Sequence, residues 1–469
     1  MTTLLSALLE NRLSGRIPMH MPGHKRREAL APYLQTLGAG LDITEIDGFD
    51  DLHDADSLLC EAMNRAASLW GSQRAFFLIN GSTCGLLAGI YSLTCPGDEI
   101  LIARNCHKAV YHACELRGLT VHYLQPPIAP LFGIHASLSP SEVDAQLRAH
   151  PGVKLCVLTS PSYEGVLSDV GAIARICHAH GVLLLVDEAH GAHLGLTGDF
   201  PASAVSQGAD IVIRSVHKTL PSLTQTALAH TTDACAPAFA RALGIFETSS
   251  PSYLLMASID SCLELLTREK ATLFAAWRTR LDAFRSRMES LRVLRLLPDS
   301  DTRGQFFALD PSKLVISCAD STITGPALME RLRKSNIECE MCSASYVIAM
   351  TGLGDTDETL GALAEALLEI DASLSPASAP PQPLWPPLPG QACRIADALI
   401  APREAVSRRD AIGRVSAGYL WAYPPGIPLI VPGERISAEL VEAFERLEAC
   451  GIALKSPDVA PSGMIFVLV

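Results

Sequence analysis

The chain has 469 residues, with 37 basic and 50 acidic side chains and a formal net charge of −13. This acidic balance argues against a general nucleic-acid-binding role, which needs a basic footprint. The length suggests about three domains of roughly 150 residues each, and the 48% hydrophobic content is enough for at least one large core.

The first residues, 1–10, lack both a basic start and a small-residue cleavage site, so they predict an amphipathic helix and not a secretory signal. No apolar stretch approaches the roughly 20 residues that span a bilayer, and we expect no membrane partner. The chain has fourteen cysteines, several of them beside apolar residues. This pattern favours buried thiols in a reducing compartment over a disulfide scaffold, and it predicts a cytoplasmic protein.

Between residues 75 and 230, short β-rich runs alternate with segments of helical periodicity, which predicts an α/β fold with parallel strands joined by crossover helices. The predicted strands cover residues 75–79, 99–103, 155–159, 183–187 and 211–215. In open parallel sheets the ligand crevice lies beyond the carboxyl ends of the strands. We therefore expect chemistry in the segments that follow these strands, which read NGST, RNCHK, SPSYEG, DEAHGAH and SVHK.

The remaining chain predicts long helices at 252–292 and a mixed segment at 293–372 with strands at 313–318 and 346–350. Seven of the fourteen residues from Pro376 to Pro389 are proline, which predicts an extended spacer. We accordingly predict an N-terminal segment (1–50), a large domain (51–255), a small domain with connecting helices (256–372), a proline-rich linker (373–390) and a C-terminal domain (391–469).

Three strand endings carry groups that are unremarkable alone. Gly81, Ser82 and Thr83 lie where a helix begins, which suits a phosphate, although this pattern alone is more often a plain helix cap. Asp187 ends the apolar strand LLLVD, where a carboxylate needs a cation or hydrogen-bond donors, although it could also cap the next helix. Lys218 closes another strand, where a lysine would ordinarily extend to solvent.

Together these groups meet the separate demands of pyridoxal 5'-phosphate. A lysine can form the Schiff base, a carboxylate can keep the pyridine nitrogen protonated, and a helix start with hydroxyls can hold the phosphate. Asp187 lies one predicted crossover before Lys218, as neighbouring strands of such a sheet require. The sequence therefore predicts a pyridoxal phosphate site.

Several sequence blocks also resemble the ornithine/lysine/arginine decarboxylases of the aspartate-aminotransferase fold, especially the shorter bacterial forms. The matching blocks, in order, are MPGHKRR, DITEIDGFDDLHDAD, FFLINGSTCG, RNCHKAVYHA, SPSYEGV, VDEAHGAH, SVHKTLPSLTQ, TSSPSY and YPPGIPLIVPGE. The resemblance implies a pyridoxal-phosphate-dependent transferase fold of type I. Such a fold has a large domain with a mostly parallel, seven-stranded type of sheet, a small α+β domain and a C-terminal α+β domain.

The resemblance also assigns roles to residues in the matching blocks. Lys218 resembles the Schiff-base lysine and Asp187 the partner of the pyridine nitrogen, while His107 resembles an imidazole that stacks on the cofactor ring opposite Ala189. The residues that resemble cofactor or phosphate ligands are Gly81, Ser82, Thr83, His190, Ser215 and His217.

The resemblance implies decarboxylation of a basic L-amino acid to an amine and CO2, in polyamine-related metabolism. Arginine is the first expectation, with lysine and ornithine next, and Glu434 is predicted to bind the substrate's distal cation. Lys218 or His217 would return the proton to the α-carbon. Alternatives are an aminotransferase or another lyase of the same fold, or a non-catalytic regulatory relative. A homodimer or higher homo-oligomer is also implied.

Other patterns predict no chemistry. Cys339 and Cys342 have the spacing of half a zinc site without a second pair, and His190 with His193 lacks further ligands, so no metal is expected. Seven acidic residues lie between Asp42 and Asp56, and they predict a solvated loop with helix caps or a region that attracts a cationic substrate. The sequence also departs from the resembled family at MHMPGHK, where FHTPGHK is common, and after DDLHDAD.

Overall fold

The computed structural model describes residues 3–27, 29–30, 32–300, 304–377, 385–423, 426–458, 460–461 and 463–469. Residues 378–384 of the predicted proline-rich spacer and the two prolines of YPPG lie outside the described residues. The chain divides into two compact units, residues 1–93 with 185–275 and residues 94–184 with 276–469. Within the described ranges, no helix is both long enough and apolar enough to cross a membrane.

Fourteen helices lie within the described residues. They are α1 (Leu4–Leu13), α2 (Pro32–Thr36), α3 (Leu58–Trp70), α4 (Gly81–Leu93), α5 (Lys108–Arg117), α6 (Pro140–Ala149), α7 (Val170–Ala179), α8 (Val216–Thr219), α9 (Ala236–Phe246), α10 (Tyr253–Met288), α11 (Gly325–Lys334), α12 (Asp357–Ala372), α13 (Ile395–Ile400) and α14 (Ala438–Ala449). The segment predicted to hold one or two long helices is therefore the single helix α10.

Twenty strands are present in the same residues. They are β1 (Arg74–Leu78), β2 (Glu99–Ala103), β3 (Thr120–Leu124), β4 (Ile128–Ala129), β5 (Ile134–His135), β6 (Val153–Thr159), β7 (Val166–Leu167), β8 (Leu183–Asp187), β9 (Ile211–Ser215), β10 (Ala227–Thr231), β11 (Arg295–Leu296), β12 (Ala308–Leu309), β13 (Lys313–Ser317), β14 (Met341–Cys342), β15 (Tyr346–Met350), β16 (Arg403–Ser407), β17 (Leu420–Tyr423), β18 (Ile427–Ile430), β19 (Ala453–Lys455) and β20 (Met464–Leu468). Strands β2, β8, β9 and β15 have the predicted bounds.

In the first unit, four strands are hydrogen-bonded in the order β1-β10-β9-β8. Strands β8 and β9 run parallel, whereas β10 is antiparallel to both β1 and β9. The sequence predicted a mostly parallel sheet, which agrees with this pairing, but it missed β10 as a strand. The reason is the short connection at residues 216–226, which holds only the one-turn helix α8 and is too short for a crossover to a parallel strand.

In the second unit, β2 pairs in parallel with both β3 and β6. The same unit contains a four-stranded sheet of order β11-β13-β15-β14 and two small C-terminal sheets, β16-β20 and β18-β17-β19. Helix α14 contributes Leu440, Phe444 and Leu447 to the apolar core of the C-terminal region. The predicted fold class is confirmed, since the sheet is mixed with mostly parallel strands and the chain has α/β character.

Helix α4 packs unusually close to the strands of the first unit. A Cβ atom added to Gly85 would lie 2.5 Å from Cδ1 of Leu78, and one added to Gly89 would lie 2.5 Å from Cδ1 of Leu185. A larger residue at either position would require these leucine side chains or the helix to move, because such contacts are well inside van der Waals distance. The two glycines therefore set the height of the α4 N-terminus above the strand ends.

One buried histidine makes the stability of the second unit sensitive to acid. His135 is 3% exposed, and its ring lies 4.8 Å from that of Trp385 between centroids. Burial lowers the pKa of His135 to about 4 from its usual 6.5. Between these values the unfolded chain binds a proton that the folded chain excludes, so this histidine costs stability as the pH falls from 6.5 towards 4.

We expect the free energy of unfolding to fall by about 2 kcal/mol from this group alone between pH 7.5 and pH 5, at about 1.4 kcal/mol for each pKa unit. Urea unfolding at both pH values checks this, with the His135→Phe variant as the comparison. The variant should lose this part of the pH dependence. An identical pH dependence in both proteins would contradict the prediction.

Candidate active site

The NGST segment forms the start of α4. The sequence predicted a helix from about Cys84, but α4 begins at Gly81, whose φ is +77°. Ser82 and Thr83 therefore lie in the first turn, where backbone N–H groups have no partner within the helix. Ser82 shares a hydrogen bond of 2.7 Å with the hydroxyl of Ser215, at the end of β9. The result is a partly exposed, hydroxyl-lined helix N-terminus that suits an anion.

Two side chains, the buried Glu247 and the exposed Gln225, hold the residue that follows β1 and leads into this segment. The carboxylate of Glu247 accepts a 2.7 Å hydrogen bond from the backbone N–H of Ile79. The side-chain amide of Gln225 donates to the carbonyl of the same residue, and Gln225 itself has a φ of +87°. Burial raises the pKa of Glu247, although the hydrogen bond from Ile79 opposes that shift. Sequence reasoning missed both side chains.

The predicted lysine and carboxylate lie close enough to interact electrostatically. Asp187 is 3% exposed at the end of β8 and accepts a 3.0 Å hydrogen bond from the backbone N–H of Ala189. Burial raises the pKa of Asp187, and the nearby positive charge of Lys218 opposes this rise. The partner that the sequence required for this carboxylate is thus supplied, at least in part, by Lys218.

Lys218 lies in the one-turn helix α8 and is half-buried. Its Nζ lies 2.9 Å from Nε2 of His190, and as an ammonium it donates to that ring nitrogen. The first unit therefore brings together Lys218, Asp187 and His190. A contact of His190 with Asp187 or with a cofactor stays a prediction.

His217 presents a definite tautomer. Its Nδ1–H donates a 2.8 Å hydrogen bond to the carbonyl of Thr226, so the neutral ring carries its free lone pair on Nε2. Burial lowers the pKa of His217, the bond to Thr226 opposes this, and the charge of Lys218 lowers it further. A neutral Nε2 accepts protons and repels a phosphate oxygen, so the predicted role as a phosphate ligand requires an extra proton.

A buried ion pair flanks these residues and was not foreseen. Glu188 follows Asp187, and Arg214 precedes Ser215. Their side chains are essentially inaccessible and form a 2.6 Å bond between Nη2 and Oε2. Ser203 Oγ donates to Glu188 at 3.1 Å and lies 2.8 Å from Nη2 of Arg214. The pair thus joins the ends of β8 and β9, and the arginine inside the apolar strand IVIRS was the sequence signal for it.

Replacing Arg214 by methionine should lower the free energy of unfolding by about 3–5 kcal/mol, because it leaves the Glu188 carboxylate buried without a cation. The double variant Arg214→Met/Glu188→Leu should recover most of this loss, since neither charge remains. Urea unfolding of the three proteins provides the measurement. A double variant as unstable as the single one would show that packing, and not charge, explains the effect.

His107 lies in the second unit, where it caps the N-terminus of α5. Its Nδ1 accepts a 3.2 Å hydrogen bond from the backbone N–H of Ala109, so the proton of the neutral ring is on Nε2. The cap fixes the orientation of a half-buried ring directly after β2. The predicted stacking of His107 on a cofactor ring stays a prediction.

Glu434 also lies in the second unit, and its carboxylate is engaged by Arg104. Nη1 and Nη2 of Arg104 bind the two carboxylate oxygens at 2.8 and 3.0 Å, and the backbone N–H of Val431 donates to Oε2 at 2.9 Å. Glu434 is fully buried. A direct charge pair between Glu434 and a substrate would require the pair with Arg104 to open, so that role stays a prediction.

The Arg104–Glu434 pair links the end of β2 to the PGE segment of the C-terminal region. We expect Glu434→Gln to cost about 3–5 kcal/mol of unfolding free energy, because it leaves a buried guanidinium without a counter-charge. The matched control is Asp397→Asn, which breaks an equally bidentate but exposed pair with Arg394 and should cost less than about 1 kcal/mol. Equal losses in urea unfolding would contradict this prediction.

The acidic run from Asp42 to Asp56 contains a structural cap. Asp50 accepts hydrogen bonds from the backbone N–H groups of Asp56, Ser57 and Leu59 at 2.9–3.0 Å. Partial burial raises the pKa of Asp50, but these hydrogen bonds together lower it by more, so the net shift is downward. Asp50 therefore caps the start of α3, as in the first of the two predictions for this run, a solvated loop with helix caps.

Comparison with known proteins identifies the family. Residues 2–298 match the family described as Orn/Lys/Arg decarboxylase, major domain. The chain belongs to the Orn/Lys/Arg decarboxylase family. Residues 393–453 match the C-terminal domain of the same family. The resemblance drawn from the sequence blocks is thereby confirmed, as is the expectation of a decarboxylase enzyme.

Individual relatives extend over nearly the whole chain. An arginine decarboxylase of Bacillus subtilis is 31% identical, with 100% of this chain and 98% of the relative covered. An uncharacterized protein of the same organism, YaaO, is 33% identical over 95% of this chain and 94% of its own length. The crystal structure of a lysine decarboxylase from Francisella novicida has a TM-score of 0.82 at 19% identity, and the match covers 99% of this chain and 80% of that one. This structural likeness supports the fold.

Proposed function

We propose that this decarboxylase uses pyridoxal 5'-phosphate to convert a basic L-amino acid, arginine first, into its amine and CO2. The observation that carries the proposal is the buried Asp187 within electrostatic reach of Lys218, in the same unit as a hydroxyl-lined helix N-terminus. Membership of the Orn/Lys/Arg decarboxylase family and the relatives named arginine decarboxylase support the choice of reaction and of substrate.

The residues of the first unit fit the cofactor by their chemistry. Lys218 would bond its aldehyde carbon, and Asp187 would face its ring nitrogen. The first turn of α4, with Ser82, Thr83 and the hydroxyl of Ser215, would hold its phosphate. When bound, the cofactor supplies an electron sink for the pair left behind when CO2 departs.

The surroundings of Asp187 determine whether its carboxyl group is charged. Burial without a cation would favour its protonated form, but Lys218 and the N–H of Ala189 favour the carboxylate. A carboxylate held in this way keeps a proton on a basic nitrogen placed opposite it. Asp187 is therefore the group that maintains the electron demand at this site.

Lys218 and His217 are the candidates for proton return to the α-carbon. Lys218 would be free to carry a proton once the substrate amine occupied its place on the cofactor, and its Nζ lies 2.9 Å from Nε2 of His190 in this structure. His217 carries a free Nε2 lone pair, because its Nδ1–H is held by Thr226. In the neutral state His217 can take a proton and must be recharged before it can donate one, which favours Lys218 as the donor.

Recognition of the substrate's distal cation is assigned to the Glu434 region. If Glu434 contacts the substrate, Glu434→Gln raises KM far more than Arg104→Gln does. If the Arg104 pair positions the segment, both substitutions raise KM alike. Polyamine-related metabolism would follow from the amine product, since arginine and ornithine decarboxylation both yield cationic amines.

We also propose a cytoplasmic homodimer or a higher homo-oligomer. All fourteen cysteines are free thiols in the structure, and many are buried, as suits a reducing compartment. The oligomer rests on the family resemblance. Sedimentation of the purified protein with and without the cofactor would establish it.

The test of the reaction is an assay of the purified protein with pyridoxal phosphate and L-arginine, L-lysine or L-ornithine in turn. We expect one CO2 for each amine formed, the amine being agmatine from arginine, cadaverine from lysine or putrescine from ornithine. Arginine should be the preferred substrate. Lys218→Ala should bind the cofactor without its characteristic internal absorbance and lose at least about 1,000-fold in kcat. His53→Gln, which removes an exposed bond to the carbonyl of Thr248, serves as the control.

Accumulation of a 2-oxo acid in place of CO2 would instead indicate an aminotransferase of the same fold. Absence of both products with every substrate, despite bound cofactor, would indicate a non-catalytic relative and would refute the proposal.

A further inference from the structure

Three potential metal ligands meet in the second unit, and the proposed reaction does not use them. Glu99 begins β2, His122 lies on β3, and His150 is the C-cap of α6. One donor atom from each of the three side chains lies within 4.8 Å of the other two. Each side chain is partly exposed, so an ion in solvent can reach all three.

The strand register explains why these side chains converge. In the parallel pair of β2 and β3, Glu99 stands opposite Thr120, and His122 lies two residues further along β3. Side chains two residues apart share one face of a strand, so His122 reaches back to Glu99. On the other side of β2, Glu99 stands opposite Val153 of β6, and His150 ends the helix just before that strand.

The chain between His150 and β6 makes room for the carboxylate. A Cβ atom on Gly152 would lie 2.3 Å from Oε1 of Glu99, which is shorter than any non-bonded contact. Only glycine at residue 152 therefore allows Glu99 its observed position. Oε2 of Glu99 in turn lies 2.8 Å from Nε2 of His122, so the carboxylate orients this imidazole.

The two imidazoles stack with centroids 3.6 Å apart and planes inclined by 20°. His150 is therefore held against His122, on the side where Glu99 also lies. The donor set, two histidines and one glutamate, is one that zinc accepts with water as the fourth ligand.

We propose that Glu99, His122 and His150 bind a divalent first-row transition metal ion of the Zn²⁺ class. Bonds of about 2.0–2.2 Å bring the ligand atoms of a tetrahedral site to within about 3.5 Å of each other, and two lone pairs that point at one ion cannot lie in nearly parallel stacked rings, so the rings must tilt on binding. His150 can make this movement, since it follows the end of α6 and is partly exposed. The ion would connect β2, β3 and the α6–β6 connection at the amino ends of these strands.

The test uses the full-length protein treated with a chelator and titrated with Zn²⁺ alone. Wild-type protein should bind one equivalent with micromolar affinity, and its midpoint of thermal unfolding should rise with Zn²⁺ because the ion binds the folded state. Each of the variants Glu99→Gln, His122→Gln and His150→Gln should lose that equivalent and the rise in midpoint. Amine formation without added metal should be unchanged.

The matched control is His112→Gln, which disrupts a histidine–glutamate pair with Glu115 that lacks a third ligand. This variant should keep both the equivalent and the midpoint shift. The midpoint of thermal unfolding, measured with chelator present, shows whether each variant is folded. Only folded variants are compared for Zn²⁺ binding. Titration with Co²⁺ separates this site from the free thiols, since binding to cysteine produces an intense sulfur-to-metal charge-transfer band.

Retention of the equivalent by any folded variant of the three would overturn the three-ligand site. So would a Co²⁺ spectrum dominated by the thiolate band, because the metal would then be bound by cysteine. Loss of the equivalent in His112→Gln would likewise contradict the assignment. None of these outcomes bears on the decarboxylase reaction, so the two proposals fail independently.

Discussion

A negative charge buried at the end of a strand is the constraint on which the candidate active site depends. Asp187 is nearly inaccessible, and desolvation alone would neutralise it. It keeps access to its charged form through Lys218 and the backbone of Ala189. Because both side chains follow adjacent parallel strands, the backbone pairing of β8 and β9 sets the separation between them. A displacement of one strand against the other would weaken the attraction by which Lys218 opposes the raised pKa of Asp187.

A second ion pair, between Glu188 and Arg214, opposes that displacement of the strands. Glu188 and Arg214 are the immediate neighbours of Asp187 and Ser215, and they bind each other where no water can screen them. The side chain of Glu188 also accepts the backbone N–H of Ala204, and its backbone N–H donates to Ile213. Asp187 and Glu188 are adjacent at the end of β8, and Arg214 and Ser215 are adjacent at the end of β9. The Glu188–Arg214 pair thus joins these two strands directly beside the residues proposed to hold the cofactor.

The parts of this site that sequence could predict are those that depend on local pattern. Apolar runs ending in polar residues located β8 and β9 to the residue, because a buried strand must stop where charge begins. Asp187 stood out because a carboxylate that ends an apolar strand is costly without a partner, and Lys218 stood out only in combination with it. By contrast, the antiparallel strand β10 was missed, because its direction follows from the short connection before it and not from its composition. The start of α4 was placed three residues late, since Gly81 resembles a loop residue.

Other features were invisible because their partners are distant in sequence. Glu434 and Arg104 are 330 residues apart, and no spacing rule connects them. The Glu99, His122 and His150 cluster comes from three elements and has no helical or loop periodicity, so the expectation of no metal rested only on contiguous motifs. His217 could be selected from its block, but its tautomer depends on the carbonyl of Thr226, which only the folded chain brings within reach.

The hydroxyl pair of Ser82 and Ser215 has a consequence for how the protein is made. These residues are 133 positions apart, and β1 must wait for β10 before it gains its neighbour in the sheet. A ribosome therefore releases the whole of the intervening chain before the α4 N-terminus can meet the end of β9. Until then α4 also lacks Leu185, against which Gly89 packs, so its apolar surface is open to non-native contacts during synthesis.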